Sequence, residues 1–206
     1  MKNLFLGLLV FASMTVSAGQ KVKMLQIGDK AVLTDVEMKA TSGKMLSVDD
    51  VKGKNGVLVL FSCNTCPFVM RWEGRYPEIK KIADENGIGM IVVNSNYQNR
   101  DGVDSYEAMK QHAEQHGYDF PYVVDKDSRL ANAFGGQTTP HAFLFNADMK
   151  LVYKGRIDDN AESAADVKQP YLINALKAVG SGQQVAVTET QPQGCSIKRK
   201  LSEVVQ

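Results

Sequence analysis

The chain is poor in cysteine and histidine, with three of each in 206 residues. It is far too sparse in cysteine to be a small disulfide-stapled scaffold. Neither sign of charge is in excess: 24 basic and 23 acidic side chains leave a formal charge of +1. That balance argues against a polyanion binder, whose affinity would need concentrated Lys and Arg. No uncharged apolar run reaches the roughly 20 residues that span a bilayer. Repeats, low-complexity blocks and a dividing linker are also absent. What remains is an ordinary composition, 44% hydrophobic and 23% charged, in a chain long enough to bury one core.

The first 18 residues have the layout of a secretory signal. Lys2 precedes an uncharged apolar stretch from Leu4 to Val16, and Val16-Ser17-Ala18 places small residues where a signal peptidase cuts. No cysteine precedes Cys63, which excludes a lipid-anchored start. With Lys2 removed, 23 of the 24 basic residues face 23 acidic ones, a neutral mature protein. The expectation is export to a periplasmic or extracellular space where thiols tend to be oxidised, with no membrane insertion of the mature chain.

Apolar patterning from there alternates strands and helices. A β-rich lead-in is expected over residues 28–53, where Val32, Thr34 and Val36 alternate between glycines. Val57–Phe61 is a continuous apolar run, as in a strand covered on both faces. Pro77 opens a helix closed by Gly87, followed by a strand over Ile88–Val93. Asp104 and Glu107 have capping-box spacing ahead of a helix bearing Tyr106, Met109 and Ala113. A short strand over Tyr122–Val124 and a short helix over Ser128–Phe134 follow. Next come a hairpin through Ala142–Phe145 and Leu151–Tyr153, then a helix carrying Leu172, Ala175, Leu176 and Val179 with Gly180 past its end. This reads as one α/β domain over residues 19–180 with a polar tail, 181–206, carrying Cys195.

The chemistry is concentrated at Cys63-Asn64-Thr65-Cys66-Pro67, directly after the buried run. Two residues three apart on an opening helical turn share a side, about 5–6 Å from one another, within disulfide reach. Free N–H groups at a helix start favour thiolate over thiol, making Cys63 a nucleophile and Cys66 its resolving partner. A structural zinc site would want two further close ligands, and covalent haem attachment would want His where Pro67 stands. A purely structural bridge would close only a tiny loop. Thr139-Pro140, at the entrance of the hairpin, is a candidate for a cis-proline turn.

The order of buried strand, Cys-x-x-Cys and Thr-Pro before a hairpin resembles the thioredoxin fold. Gly28-Asp29-Lys30 through Asp49-Asp50-Val51-Lys52-Gly53-Lys54 is similar to the redoxin branch of the alkyl hydroperoxide reductase/thiol-specific antioxidant superfamily. Phe61-x-Cys63-Asn64-x-Cys66-Pro67, Thr139-Pro140-His141, Tyr153-x-Gly155-Arg156-Ile157-Asp158-Asp159-Asn160 and Gly194-Cys195-Ser196-Ile197-Lys198 resemble its peroxiredoxin-like, Cys-x-x-Cys-bearing subgroup. The likeness covers roughly residues 25–200. It implies a central mixed sheet flanked by helices, with an N-terminal β-rich extension. It also implies an exported, antioxidant type of thiol–disulfide oxidoreductase, in which Cys63 attacks and Cys66 resolves. Thr139 and Pro140 would then pair with an extended substrate segment, and neither metal nor organic cofactor is needed. The partners implied are a thiol or disulfide substrate and an electron-exchanging redox protein. Cys195 stands as a third redox thiol, an intermolecular link or a buried residue.

Several positions depart from the pattern. Val57 stands where thioredoxins carry a buried Asp, and Thr65 where the subgroup often has His. Peroxidatic cysteines want Thr or Ser three residues earlier and Pro seven earlier, whereas Cys63 has Leu60 and Gly56. A thiol-dependent peroxidase and a Cu(I)-binding module using Cys63, Cys66 and His141 are the competing readings. His112 and His116, four apart, are read as solvated rather than metal-binding, as is the charged run Arg156, Asp158, Asp159 at the hairpin end.

Overall fold

The computed structural model describes residues 23–200, so the signal-like segment 1–18 lies outside the described residues. The strands are β1 (Met38–Ala40), β2 (Met45–Leu46), β3 (Gly56–Ser62), β4 (Ile88–Asn94), β5 (Tyr122–Val124), β6 (Thr138–Thr139), β7 (His141–Asn146), β8 (Leu151–Gly155) and β9 (Cys195–Ser196). Six helices alternate with them: α1 (Val48–Val51), α2 (Pro67–Trp72), α3 (Tyr76–Glu85), α4 (Tyr106–Gln115), α5 (Arg129–Phe134) and α6 (Tyr171–Gly180). Seven strands form one mixed sheet in the order β2-β1-β5-β4-β3-β7-β8, and β6 pairs with β9 in a separate ribbon. β3, β4 and β5 run parallel, β7 lies antiparallel beside β3, and β8 pairs antiparallel with β7 at the edge.

Every residue of β3 is buried because side chains alternate between two covered faces. Leu58 and Leu60 pack with Trp72, Ile79 and Leu172 on one side. Val57, Val59 and Phe61 meet Leu130, Phe134 and Phe143 on the other. Each such side chain contributes roughly 1.5–3 kcal/mol by leaving water, so the centre of the sheet is the most firmly held part. The functional motif leaves from its end.

The lead-in is less β-rich than its pattern suggests. Val32, Thr34 and Val36 are not strand residues; the chain turns there, with Leu33 at φ 54° and Val32 exposed. The backbone just before bonds outward to the β7–β8 hairpin, through Gly28 N–H to Leu151 O and Ala31 N–H to Met149 O. Once those groups are satisfied, nothing pairs residues 32–36 into the sheet. The cap of α4 is also shifted by one residue: Ser105, not Asp104, accepts the Ala108 N–H. Ser128 is left-handed at φ 55°, so α5 begins at Arg129, and Gly180 lies inside α6 rather than past its end.

The polar tail is pinned down along its described length. Lys154 in β8 bonds Thr188 and Thr190 through its backbone, laying residues 188–190 along the sheet edge. Further on, the tail crosses the end of β3 as β9.

Candidate functional site

Strand register builds the site. In the β3–β7 pair Phe61 lies opposite His141. Two residues past Phe61 is Cys63, and two before His141 is Thr139, so an antiparallel ladder brings them face to face. Cys63 Sγ lies 3.3 Å from Thr139 Oγ1, and the Thr139–Pro140 peptide is cis. Cys66 caps α2, with Pro67 in the first turn where no N–H partner is lost. The helix start therefore serves Cys66 rather than Cys63, a correction to the expected arrangement. α2 begins only after the whole Cys63–Thr65 loop has passed.

The electrostatics follow that placement. The Cys66 thiol is drawn down to about 4, first by the hydrogen bond from Cys63 against the opposing cost of burial. The contact with the Cys195 thiol and the backbone at Val69 and Cys195 add to this. Cys63 is pushed up by the same shared hydrogen bond, then by burial, with the nearby Asp104 charge adding further. The two thiols therefore share a proton and titrate together, and Cys66 also lies 3.1 Å from the Thr139 carbonyl oxygen, to which its thiol donates.

The loop between the cysteines is held by a buried polar network that the residue pattern did not reveal. Asp104, fully buried, accepts from the Asn64 N–H at 3.0 Å, Asn94 Nδ2 at 2.7 Å and Asn96 Nδ2 at 3.0 Å. The Asn64 amide donates to Val103 O at 2.7 Å, and its Oδ1 accepts from the Tyr122 hydroxyl at 2.8 Å. Asp158 plays a similar part on the other side. It is buried, not solvated, and accepts from Trp72 Nε1 at 2.9 Å while pairing with Arg75. The loop after β8 is thereby tied to α2. Its neighbour Asp159 accepts the Lys168 and Gln169 N–H groups, both at 3.0 Å.

The histidines divide. His141 makes no hydrogen bond to a cysteine; its Nδ1 accepts the Gln137 N–H at 3.1 Å, and its buried Nε2 has no partner. It braces the cis-proline turn. Burial, then the charges of Lys154 and Arg199, pulls its pKa down to about 3. A folded value below the unfolded value of about 6.5 means the unfolded chain binds more protons in between. Stability from this group is complete above pH ~6.5 and lost as pH falls towards 3, by about 1.4 kcal/mol per unit. Urea unfolding should therefore show the wild-type chain losing about 2 kcal/mol more than His141→Asn between pH 6.5 and 5. Equal losses would show that His141 is not held neutral.

His112 is half-buried, against the solvated reading. Its Nε2 lies 2.8 Å from Glu73 Oε2, with His116 Nδ1 3.7 Å from Oε1. Burial pushes the Glu73 carboxyl up, but the two histidines and Tyr118 outweigh it and hold it below its ordinary value. The ligand atoms of these three residues lie within 4.8 Å of one another.

Cys195 lies against the dithiol. Its Sγ is 2.6 Å from Cys66 Sγ, and its strand β9 pairs with β6, Thr139 opposite Cys195. Nothing local in the sequence could have brought together residues 129 positions apart.

A strand-to-helix dithiol facing a cis-proline turn, on a mixed sheet covered on both faces, defines a thioredoxin-like redox protein. The chain belongs to the redoxin family, whose model matches residues 26–169. It is 30% identical over 134 residues to the thiol-disulfide oxidoreductase ResA of Bacillus thuringiensis, covering 62% of this chain and 68% of that one. An uncharacterised conserved protein of Geobacillus kaustophilus superposes with TM-score 0.78 at 32% identity, covering 87% of this chain and 95% of that one. The peroxidoxin BcpB of Mycobacterium tuberculosis shares the fold, with TM-score 0.59 at 16% identity, over 76% of this chain and 98% of that one. The chain is an oxidoreductase.

Proposed function

We propose that the chain is an exported thiol–disulfide oxidoreductase whose Cys63–Cys66 pair exchanges with substrate disulfides. The observation that carries this reading is the meeting of both sulfurs with Thr139 at the end of β3. Cys63 lies 3.3 Å from its hydroxyl and Cys66 3.1 Å from its carbonyl oxygen. Cys66 takes the shared proton, and the freed Cys63 thiolate attacks a substrate sulfur. The substrate's other sulfur leaves, and Cys66 then attacks Cys63 to release the second half. Thr139 and Pro140 form the backbone edge against which an extended substrate segment would pair, in the place β9 occupies in this structure. Export rests on the arrangement of Lys2, Leu4–Val16 and Ala18. Among the described residues, no helix is long and apolar enough to cross a membrane. A hydroperoxide is the weaker substrate, because Leu60 and Gly56 occupy the positions a peroxidatic cysteine needs for Thr and Pro.

Equilibration with glutathione buffers tests the reading. The expected result is a two-electron Cys63–Cys66 couple between about −270 and −120 mV that turns over a model protein disulfide. A pair that neither oxidises nor exchanges would refute it.

A further inference from the structure

The edge of Thr138–Thr139, where a substrate strand would lie, is already taken. β9 pairs with it antiparallel, Thr138 opposite Ser196 and Thr139 opposite Cys195. The fit is close: a Cβ on Gly194 would fall 2.2 Å from the Thr139 carbonyl oxygen, so only glycine lets the strand approach. Beyond it, Ile197 is buried in the core, and its N–H donates to Gln137 O at 3.1 Å. The Lys198 N–H donates to Asn96 Oδ1 at 2.9 Å, and Arg199 bonds Gly136 O. This seat leaves Cys63 and Cys66 only 2% and 4% exposed, with Cys195 the most exposed of the three cysteines. At 2.6 Å, Cys195 Sγ is roughly half an ångström beyond disulfide length from Cys66 Sγ.

We propose that Cys195 is a third redox thiol that exchanges into the Cys63–Cys66 disulfide at Cys66, its strand occupying the cis-proline edge as a built-in substrate. This rests on the exchange activity proposed above, which supplies the disulfide. Cys195 attacks Cys66 Sγ; the Cys66–Cys195 bond forms as the Cys63–Cys66 bond breaks. Cys63 leaves as thiolate and takes up the proton that Cys195 gives up. No electrons enter or leave, because the step moves a disulfide from a buried sulfur to a more exposed one. Cys63 is regenerated, and an electron-donating dithiol partner then reduces the Cys66–Cys195 bond from the surface. Chemistry at Cys66 favours the step. In the reduced site, burial and then Cys66 push the Cys195 thiol up to about 11, while Lys198 pulls it down. Once Cys66 is in a disulfide it carries no charge, and that part of the opposition disappears.

The test is oxidation with glutathione disulfide, followed by alkylation of free thiols and mapping of linked peptides. Wild-type protein should yield Cys66–Cys195-linked peptide together with alkylated Cys63. Cys63→Ser should lose two hydrogens of mass as a monomer through the same link. Gly194→Val, which wedges the strand off Thr139 without touching a thiol, should lose the link and keep Cys63–Cys66. The proposal is overturned if the wild type carries only Cys63–Cys66, with Cys195 alkylated. It is overturned equally if Cys63→Ser stays reduced or forms only linked dimers, or if Gly194→Val keeps the link. In those cases exchange of a model disulfide by wild type would leave the proposed function standing. No disulfide between any pair and no exchange would remove both.

Discussion

Cys66→Ser protein presented with a disulfide substrate should accumulate a mixed disulfide through Cys63, and its turnover should fall at least about a thousandfold. The reason is geometric. In the proposed cycle Cys63, set against Thr139 of the cis-proline turn, attacks, and Cys66 at the start of α2 resolves. Without Cys66 the first exchange still occurs, and the second has no nucleophile. Cys63→Ser should lose turnover to the same extent and trap almost nothing, because its remaining Cys66 closes onto Cys195 at 2.6 Å. Gel shifts under non-reducing conditions distinguish the two variants. Equal trapping by both would refute the division of roles.

Asp104→Ala should cost about 3 kcal/mol or more in stability, among the largest effects of any single change outside the apolar core. The substitution removes the acceptor shared by the Asn64 N–H, Asn94, Asn96 and, at 3.3 Å, Asn99. Buried amides left without partners bear the full cost of their desolvation. The urea midpoint should fall with an unchanged slope. Asp104→Asn keeps the volume but removes a charge that opposes ionisation at Cys63. In that variant alkylation of Cys63 should extend to lower pH than in wild type. A loss below 1 kcal/mol for Asp104→Ala would mean the cysteine loop is held by other contacts.

The two carboxylates that organise this centre mark where sequence reasoning ran short. Asp104 has the spacing of a helix cap, and one-residue shifts at caps are common. Here the shift matters, because Ser105 takes the cap and frees Asp104 for the cysteine loop. Asp158 lies in a charged run, and such runs are ordinarily solvated. Its burial depends on Trp72 and Arg75, more than 80 positions earlier, being delivered beside it by the fold. Val32, Thr34 and Val36 erred in the opposite sense, since alternation specifies a strand only where an open edge is there to receive it.

Local covalent order was enough for the covered strands, the amphipathic helices and the dithiol with its Thr-Pro turn. In each of these the decisive neighbours lie within a few residues, so periodicity and spacing carry the information. Folding alone settled that Cys63 and Cys66 share a proton against Thr139, which acid supports the loop, and that Cys195 meets Cys66 across the turn. Those outcomes depend on ladder register and on how distant segments share one buried volume. Neither property belongs to any short stretch of chain.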